Sequence, residues 1–438
     1  MRKVLVIGCG GSGAKTLSYM MDQLRADLAV HGVEEIPGCW QFVNVDTPIQ
    51  EEHGAHLPSV GQLGGTYVSC GDTGSYAPVD AAVTQKLQAH GTEGLRSTAS
   101  WMPRDPSDVT FPISVGAGQS RAIGRMLTLS KATQIGPGIR RAIDAMNSER
   151  SREQARRTAA SVPGMGGVPD PTTGAVTIVV SSMAGGSGAS MTLDVCRIVS
   201  AMPEVDRDLT SLFLYTADVF GELPRQDRAG MTGNTLAMLG EIFAAQATPD
   251  GGAAGEADAE IYERLGVAGT AARPFRRVFP IGRRTGVDNM VFGDGSPDGV
   301  YRGMGRGIGR LLLSPRFENI ISYLVANVGG GGLDTKTVAW GAKADDAIWS
   351  SFGYASLSMG RDRYLEYAAE RIARSAVGHV LNGFRQEGST HGDQQQLAEL
   401  WQYRRPQELS RIGLPMVGAQ STMAGATAVD SATQEWFL

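Results

Sequence analysis

Short runs of β-branched and other apolar residues alternate along this chain with stretches whose apolar positions recur every three or four residues. The first rhythm predicts buried strands and the second amphipathic helices. Val4 to Ile7 reads as a strand, and Leu17, Met20, Met21, Leu24 and Leu28 form the apolar stripe of a helix behind it. Cys39 to Thr47 predicts a second strand, ending at Asp46. From Glu51 to Pro112, glycine, proline, serine and threonine are so dense that a loop-rich connection with at most one or two short helices is expected. A helix follows through Met126, Leu127 and Leu129, and four arginines between residues 148 and 157 read as a solvated helix end before a mobile Pro/Gly-rich loop. Thr177 to Val180 predicts a further strand, Met191 to Val199 its helix, and Ser211 to Thr216 the next strand. Pro249 to Glu256 reads as a small-residue linker, and Val278 to Ile281 as a short strand whose proline favours an edge. A long helix is expected from Asp298 to about Val325, a strand from Phe352 to Met359, and an amphipathic helix from Tyr364 to Leu381, with no convincing strand beyond Asn382. Strand and helix alternating in this way predict a doubly wound, mostly parallel α/β sheet.

The punctuation between these elements carries the chemistry. Gly8-Cys9-Gly10-Gly11-Ser12-Gly13 and Ala184-Gly185-Gly186-Ser187-Gly188 each follow a predicted strand and open a predicted helix, and Gly116-Ala117-Gly118 is a further glycine-rich turn that opens a helix. Glycine is suited there because the backbone takes φ > 0 at no steric cost and lets an anion approach bare N–H groups at a helix N-terminus. Two such turns predict one polyphosphate gripped from both sides of a parallel sheet. Gly303, Gly305, Gly307 and Gly309 fall within two turns of the long helix. Each costs about 1 kcal/mol relative to alanine, so their density predicts close packing against a ligand or sheet, or local unwinding.

Composition narrows the classes. At 438 residues the chain has material for two or three domains, and its 58 glycines sit in discrete loops rather than a low-complexity tract. A net charge of −5 and the absence of a basic block interleaved with aromatics speak against nucleic-acid binding. Cys9, Cys39, Cys70 and Cys196 form no CxxC pair, so neither zinc nor a disulfide framework is indicated. No apolar run reaches membrane-spanning length, and Met1-Arg2-Lys3 leads straight into a strand, so a cytoplasmic protein without a signal peptide is expected. His53 and His56 have no accompanying ligand pattern, and no metal residues or Ser/His/Asp arrangement are predicted.

In order and spacing these turns resemble the nucleotide-binding domain of the tubulin/FtsZ superfamily of GTPases, with the fit closest to its divergent bacterial tubulin-like members. Ala184 to Ser190 stands where that family has its signature GGGTGTG loop. Gly8 to Gly13 resembles the family's first phosphate loop, Phe42 to Thr47 its AVNTD strand end, and Gly116-Ala117-Gly118 with Gly124-Arg125 its γ-phosphate-sensing loop. Tyr354 to Gly360, with Arg363 and Ala368 to Glu370, resembles the strand and helix that open the second domain. The resemblance spans about residues 1 to 380 and implies residues 1–297 as a GTP-binding domain, 298–333 as central helix and catalytic-type loop, and 334–438 as a smaller α+β second domain.

It also implies residue roles. Gly8, Gly10, Gly11, Ser12, Gly13, Asp46, Gly116, Ala117, Gly118, Arg125, Ala184, Gly185, Gly186, Ser187 and Gly188 would surround the nucleotide. Lys15 replaces the family's base-contacting Asn and would pair with a phosphate. Glu222, Arg225 and Asn234 would make the ribose-side contacts, Tyr301 would stack on guanine, and Asp298 or Arg306 would read its edge. Hydrolysis in the family uses acids that act on nucleotide held by the next subunit; here Asn327 and Asp334 are the counterparts, with one acid where the family has two. GTP or GDP with Mg²⁺ as ligands, and head-to-tail self-assembly into a filament, follow as expectations. A non-polymerising nucleotide-binding scaffold and a Rossmann-type NAD or FAD oxidoreductase are the other readings the residues leave open. In the oxidoreductase, Asp46, 33 residues after Gly13, would be the ribose partner.

Overall fold

The computed structural model describes residues 1–52, 57–89, 98–286, 288–321, 348–350, 352–355 and 361–382, and three positions between 394 and 398. The chain divides into two compact units, Met1–Ala355 and Ser356–Leu438.

In the first unit β1 (Val4–Cys9) runs straight into α1 (Gly10–Ala29). There follow β2 (Trp40–Asp46), β3 (Thr66–Ser69), α2 (Tyr76–Gln88), α3 (Arg121–Ser130), α4 (Ala132–Asn147) and α5 (Glu149–Ser161). Next come β4 (Ala175–Ser182), α6 (Gly186–Val199), β5 (Val205–Tyr215), α7 (Met231–Ala247) and α8 (Gly252–Arg264). The unit continues through β6 (Arg277–Ile281), the small hairpin β7 (Arg284–Thr285) and β8 (Met290–Val291), α9 (Pro297–Leu312) and β9 (Ile348–Trp349). Within the second unit α10 (Arg361–Asn382) is a helix, as the periodicity predicts.

Seven strands form one sheet in the order β3-β2-β1-β4-β5-β6-β9, every neighbouring pair parallel. Alternation along each strand sends residues to opposite faces. Leu5, Ile7 and Cys9 join one core with Val79 of α2, Met126 of α3, Ile139 of α4, Val195 of α6 and Ile242 of α7. Val4 and Val6 join the other, with Leu17, Met20 and Leu24 of α1 and Val300, Met304 and Ile308 of α9. The fold is therefore the doubly wound, mostly parallel α/β architecture expected.

The glycines of α9 have a packing explanation. A Cβ on Gly305 would lie 2.5 Å from Thr16 O, and one on Gly309 3.3 Å from Met20 O, so α9 seats directly on the α1 backbone. Gly303 and Gly307 face Phe292 and Tyr354. Neither ligand nor sheet accounts for them.

Several expectations need correction. The long helix stops at Leu312, because Ser314-Pro315 breaks it before a new helical turn starts at Phe317. The supposed linker Pro249 to Glu256 contains the start of α8, whose small Gly255 packs against the Ala271 carbonyl. The loop-rich stretch holds a strand, β3, beside the 13-residue α2. Residues 149 to 157 lie within α5, capped by Ser148, and there Arg152 pairs with Glu149 and Arg156 and Arg157 with Glu153 in solvent. Strand β6 is flanked on both sides, yet β9 pairs only with Arg277 and Val278, so Pro280 lies beyond that ladder and removes no bond from it. Phe352 to Ala355 makes no strand, and Ser356 to Met359 lies outside the described residues.

Candidate functional site

Strand order reverses between β1 and β4, and the first and second glycine turns leave the carboxyl ends of those two strands, where open α/β sheets bind ligands. The register aligns Cys9 with Ser181, so both turns open at one level. They touch: Gly10 has φ +74°, and a Cβ there would lie 2.8 Å from Gly188 N. Gly8 and Gly13 are tight for a different reason, since a Cβ on Gly13 would meet Val180 O at 2.6 Å and Gly8 Cα at 2.8 Å. They let α1 lie on the sheet. Gly11 and Gly185 face open space, apart from a Glu52 carboxylate oxygen 3.6 Å from a side chain beginning on Gly11.

Both helices start without a side-chain cap and without an acidic residue in the first turn. Their first N–H groups thus have no intrahelical acceptor, and two dipole-positive ends point at one place. Of the four leading N–H groups of α6, that of Gly186 is already used, donating to Gly118 O at 3.1 Å. That bond joins the second turn to the third.

A polar network ties the remaining pieces together. Thr47 Oγ1 lies 2.6 Å from Ser187 Oγ and accepts from Ala117 N at 3.2 Å. Asn234 Nδ2 donates to both Gln119 O and Ala184 O at 3.0 Å, bridging the third and second turns. Asp46, 4% exposed, accepts from Thr47 N at 2.7 Å. Burial pushes its carboxyl up to about 7 against the pull of that backbone bond, with Glu52 adding to the rise. A ribose-binding acid would have to face the cleft, whereas Asp46 is turned into Thr47 and Ser187. The dinucleotide reading thereby loses its acid. Gly116, with φ +122°, keeps the third turn against Thr47 Oγ1, and Gly118 has φ +56°.

Other predicted residues fall elsewhere. Arg125 is not at the turns: its guanidinium forks onto Asp194 at 3.1 Å, pairs with Asp258 at 2.7 Å and stacks over Trp101. Tyr301 is 4% exposed, edge-on to Tyr215 at 5.0 Å and 3.0 Å from Ser12 Oγ, so it has no open face for a base, and the Ser12 hydroxyl points inward. Lys15 is exposed and makes no ion pair among the described residues. Glu222 pairs with Arg283, and Arg225 sits on an exposed 3₁₀ turn, Arg225–Arg228, whose Asp227 carbonyl accepts from Gln119 Nε2. Asn327 and Asp334 lie outside the described residues.

Sequence reasoning missed two contributors. Thr47 is the hub of the network, and its signal was the hydroxyl directly after Asp46. Tyr19 follows Gly11 and Lys15 at helical spacing on α1 and donates to Asp298 Oδ2 at 2.6 Å, which places Asp298 beside the face leading away from the first turn. Among the described residues no helix is long and apolar enough to cross a membrane, and no cluster of three His, Cys, Asp or Glu could hold a metal. A cleft of about 900 Å³ lies at the opposite end of the sheet, lined by Lys3, Gly174 and Val205 among others, away from the glycine turns.

A family model described as "Tubulin like" matches residues 5–378. No curated protein matches. Among solved structures the chain is similar to CetZ2 from Haloferax volcanii in a GTPgS-bound protofilament, at 15% identity and a TM-score of 0.34, covering 71% of this chain and 58% of that one. The chain thus corresponds to less than two thirds of that protein's length, and the likeness is too slight to carry an argument.

Proposed function

The chain belongs to the tubulin-like family, and from that premise we propose that the β1/β4 junction binds a guanine nucleotide and that binding is coupled to head-to-tail assembly of the chain. The observation that carries the reading is the pair of uncapped helix N-termini, α1 and α6, opening side by side from abutting glycine turns. Backbone N–H groups of Gly11, Ser12, Gly185 and Ser187 would hold the phosphates, each helix adding roughly 0.3–1 kcal/mol through its dipole. Lys15, one turn along α1, would reach the same phosphates as a point charge.

The base would lie further along α1. Eight residues of helix separate Gly11 from Tyr19, about 12 Å, which suits the distance from phosphate to base. Asp298 would accept from the N1–H and exocyclic amine of guanine, a donor pair adenine lacks, while Tyr301 stays in the core. Mg²⁺ would ride on the phosphates and its own waters, as it commonly does, with Glu52 beside the first turn. A heterologous contact between copies would leave the assembly open at both ends. Turnover would require an acid brought by the neighbouring copy, the role proposed for Asp334 together with Asn327.

Mass analysis of nucleotide released from purified protein, with pelleting assayed with and without GTP, tests both halves. Bound GTP or GDP and GTP-dependent pelleting are expected. Protein that carries and binds no guanine nucleotide at micromolar concentration overturns the reading.

A further inference from the structure

Arg125 follows the third glycine turn by one helical turn, yet its guanidinium is spent on a buried chain of charges linking three helices. Its Nε and Nη2 reach Asp194 of α6, both at 3.1 Å, and Nη2 also reaches Asp258 of α8 at 2.7 Å. Asp258 is shared with Arg197, 3.0 Å away, whose Nη1 donates to the carbonyls of Thr270 and Ala271. Tyr262 donates to Asp194 Oδ1 at 2.6 Å. Two arginines and two aspartates balance, and the side chains of Asp194 and Arg197 are each 1% exposed. Such a chain is costly to desolvate, and a hydrophobic replacement of similar volume often serves stability equally well. What it supplies is fixed geometry.

The geometry it fixes is that of the turns. Helix α3 begins at Arg121, separated from Gly118 by two residues, and α6 directly after Gly185, so an α3–α6 bond sets the spacing of the two turns. Beside Arg125, Gly124 lets the helices meet: a Cβ there would collide with Ser190 Oγ and the Gly186 carbonyl. Arg121 reinforces the seam through Ala189 O at 3.1 Å. Across the mouth, by contrast, the turns are joined by light bonds: Gly186 N to Gly118 O, and Asn234 to Gln119 O and Ala184 O.

We infer that the Arg125–Asp194–Asp258 chain is a positioning clamp that holds the second and third glycine turns at the separation required by the terminal phosphate of the nucleotide. The inference rests on the nucleotide reading above, and Arg125 acts through the turns without touching ligand. A lysine has no planar fork and cannot engage both carboxylates in the same way. In full-length Arg125→Lys, amide exchange at residues 116–120 and 184–188 should quicken at least tenfold while β1 and β4 keep their protection. The ratio of GTP to GDP affinity should fall at least fivefold, with GDP affinity held within twofold. A general loss of packing would instead raise exchange throughout the sheet and weaken both nucleotides in parallel; that result, or no change, overturns the clamp. Asp258→Asn, which leaves the Arg125–Asp194 fork in place, should show the same local pattern with smaller amplitude, so the clamp is testable even where Arg125→Lys does not fold, and unchanged exchange in it counts against the clamp. A wild-type chain that binds no guanine nucleotide overturns the nucleotide reading, and the exchange measurement then decides the clamp by itself.

Discussion

Asp46 is a buried carboxyl turned into Thr47 and Ser187 beside the glycine turns. Burial raises it to about 7, against an unfolded value near 3.9. Between roughly pH 4 and 7 the native state therefore holds a proton that the unfolded chain has lost, and this group's contribution to stability falls as pH rises, by on the order of 1 kcal/mol per pH unit. Asp46→Asn removes that slope while its amide oxygen can still accept from Thr47 N. Urea midpoints of the ligand-free protein should coincide with wild type at pH 4 and exceed it at pH 8; a variant less stable than wild type at pH 8 would contradict the assignment. A second residue-scale expectation concerns base reading. Asp298→Ala should weaken GTP by roughly 10- to 150-fold, the worth of about 1.5–3 kcal/mol for a hydrogen bond to a charged group, and leave ATP unaffected in isothermal titration. Equal losses for both nucleotides would sink that role. At this scale the sequence was only partly legible. Residue type and order pointed to Gly10, Gly11 and Ser187, but whether Arg125 reached a phosphate or Asp194 depended on α6 and α8, which lie 69 and 133 residues away in the chain. Tyr301 was misplaced for the same reason: Tyr215 and Ser12 fill its surroundings.

Among the elements, α9 shows how a single pattern can hold two meanings until its neighbour is known. Four glycines at alternate positions cost the helix propensity, and the offset is contact with the α1 backbone through Gly305 and Gly309. Gly305→Ala should destabilise by about 1–3 kcal/mol, the usual cost of overpacking, because its methyl meets Thr16 O and the Tyr19 side chain at under 3 Å. Gly240→Ala in α7, where nothing lies within 4 Å of the new methyl, should stabilise by about 0.5–1 kcal/mol. Thermal melts of the two variants should move in opposite directions, and melts moving together would refute the packing account. Periodicity located α1, α3, α6 and α10 well, since each carries an apolar stripe or a capping turn. It missed β3, a four-residue strand between glycines, and the start of α8, whose small residues carry little pattern. The end of α9 was legible in Pro315 but was overridden by the apolar residues beyond it.

For the whole molecule, topology does what no single motif can. A lone glycine turn after a strand fits several ligand classes; here two turns leave the carboxyl ends of neighbouring β1 and β4, and the third is held against them through Thr47, Ser187 and Asn234. The alternation of strands and helices made the sheet foreseeable, and the order of the turns made the family foreseeable, because both are properties of local sequence repeated along the chain. The contacts between turns were not, since they are set by side chains brought together only by folding. Assembly belongs to this scale too. With GTP the full chain should sediment in a concentration-dependent manner and with GDP much less; sedimentation indifferent to nucleotide would separate binding from assembly. The claim beneath all of these is that the two turns at the β1/β4 junction grip one phosphate chain. A crystal structure of the full chain with GDP tests it most directly. Phosphate oxygens within hydrogen-bond distance of backbone N–H groups in both Gly11–Ser12 and Gly185–Ser187 are predicted, and phosphates resting on one turn alone, or seated in the cleft beside Lys3, would contradict it.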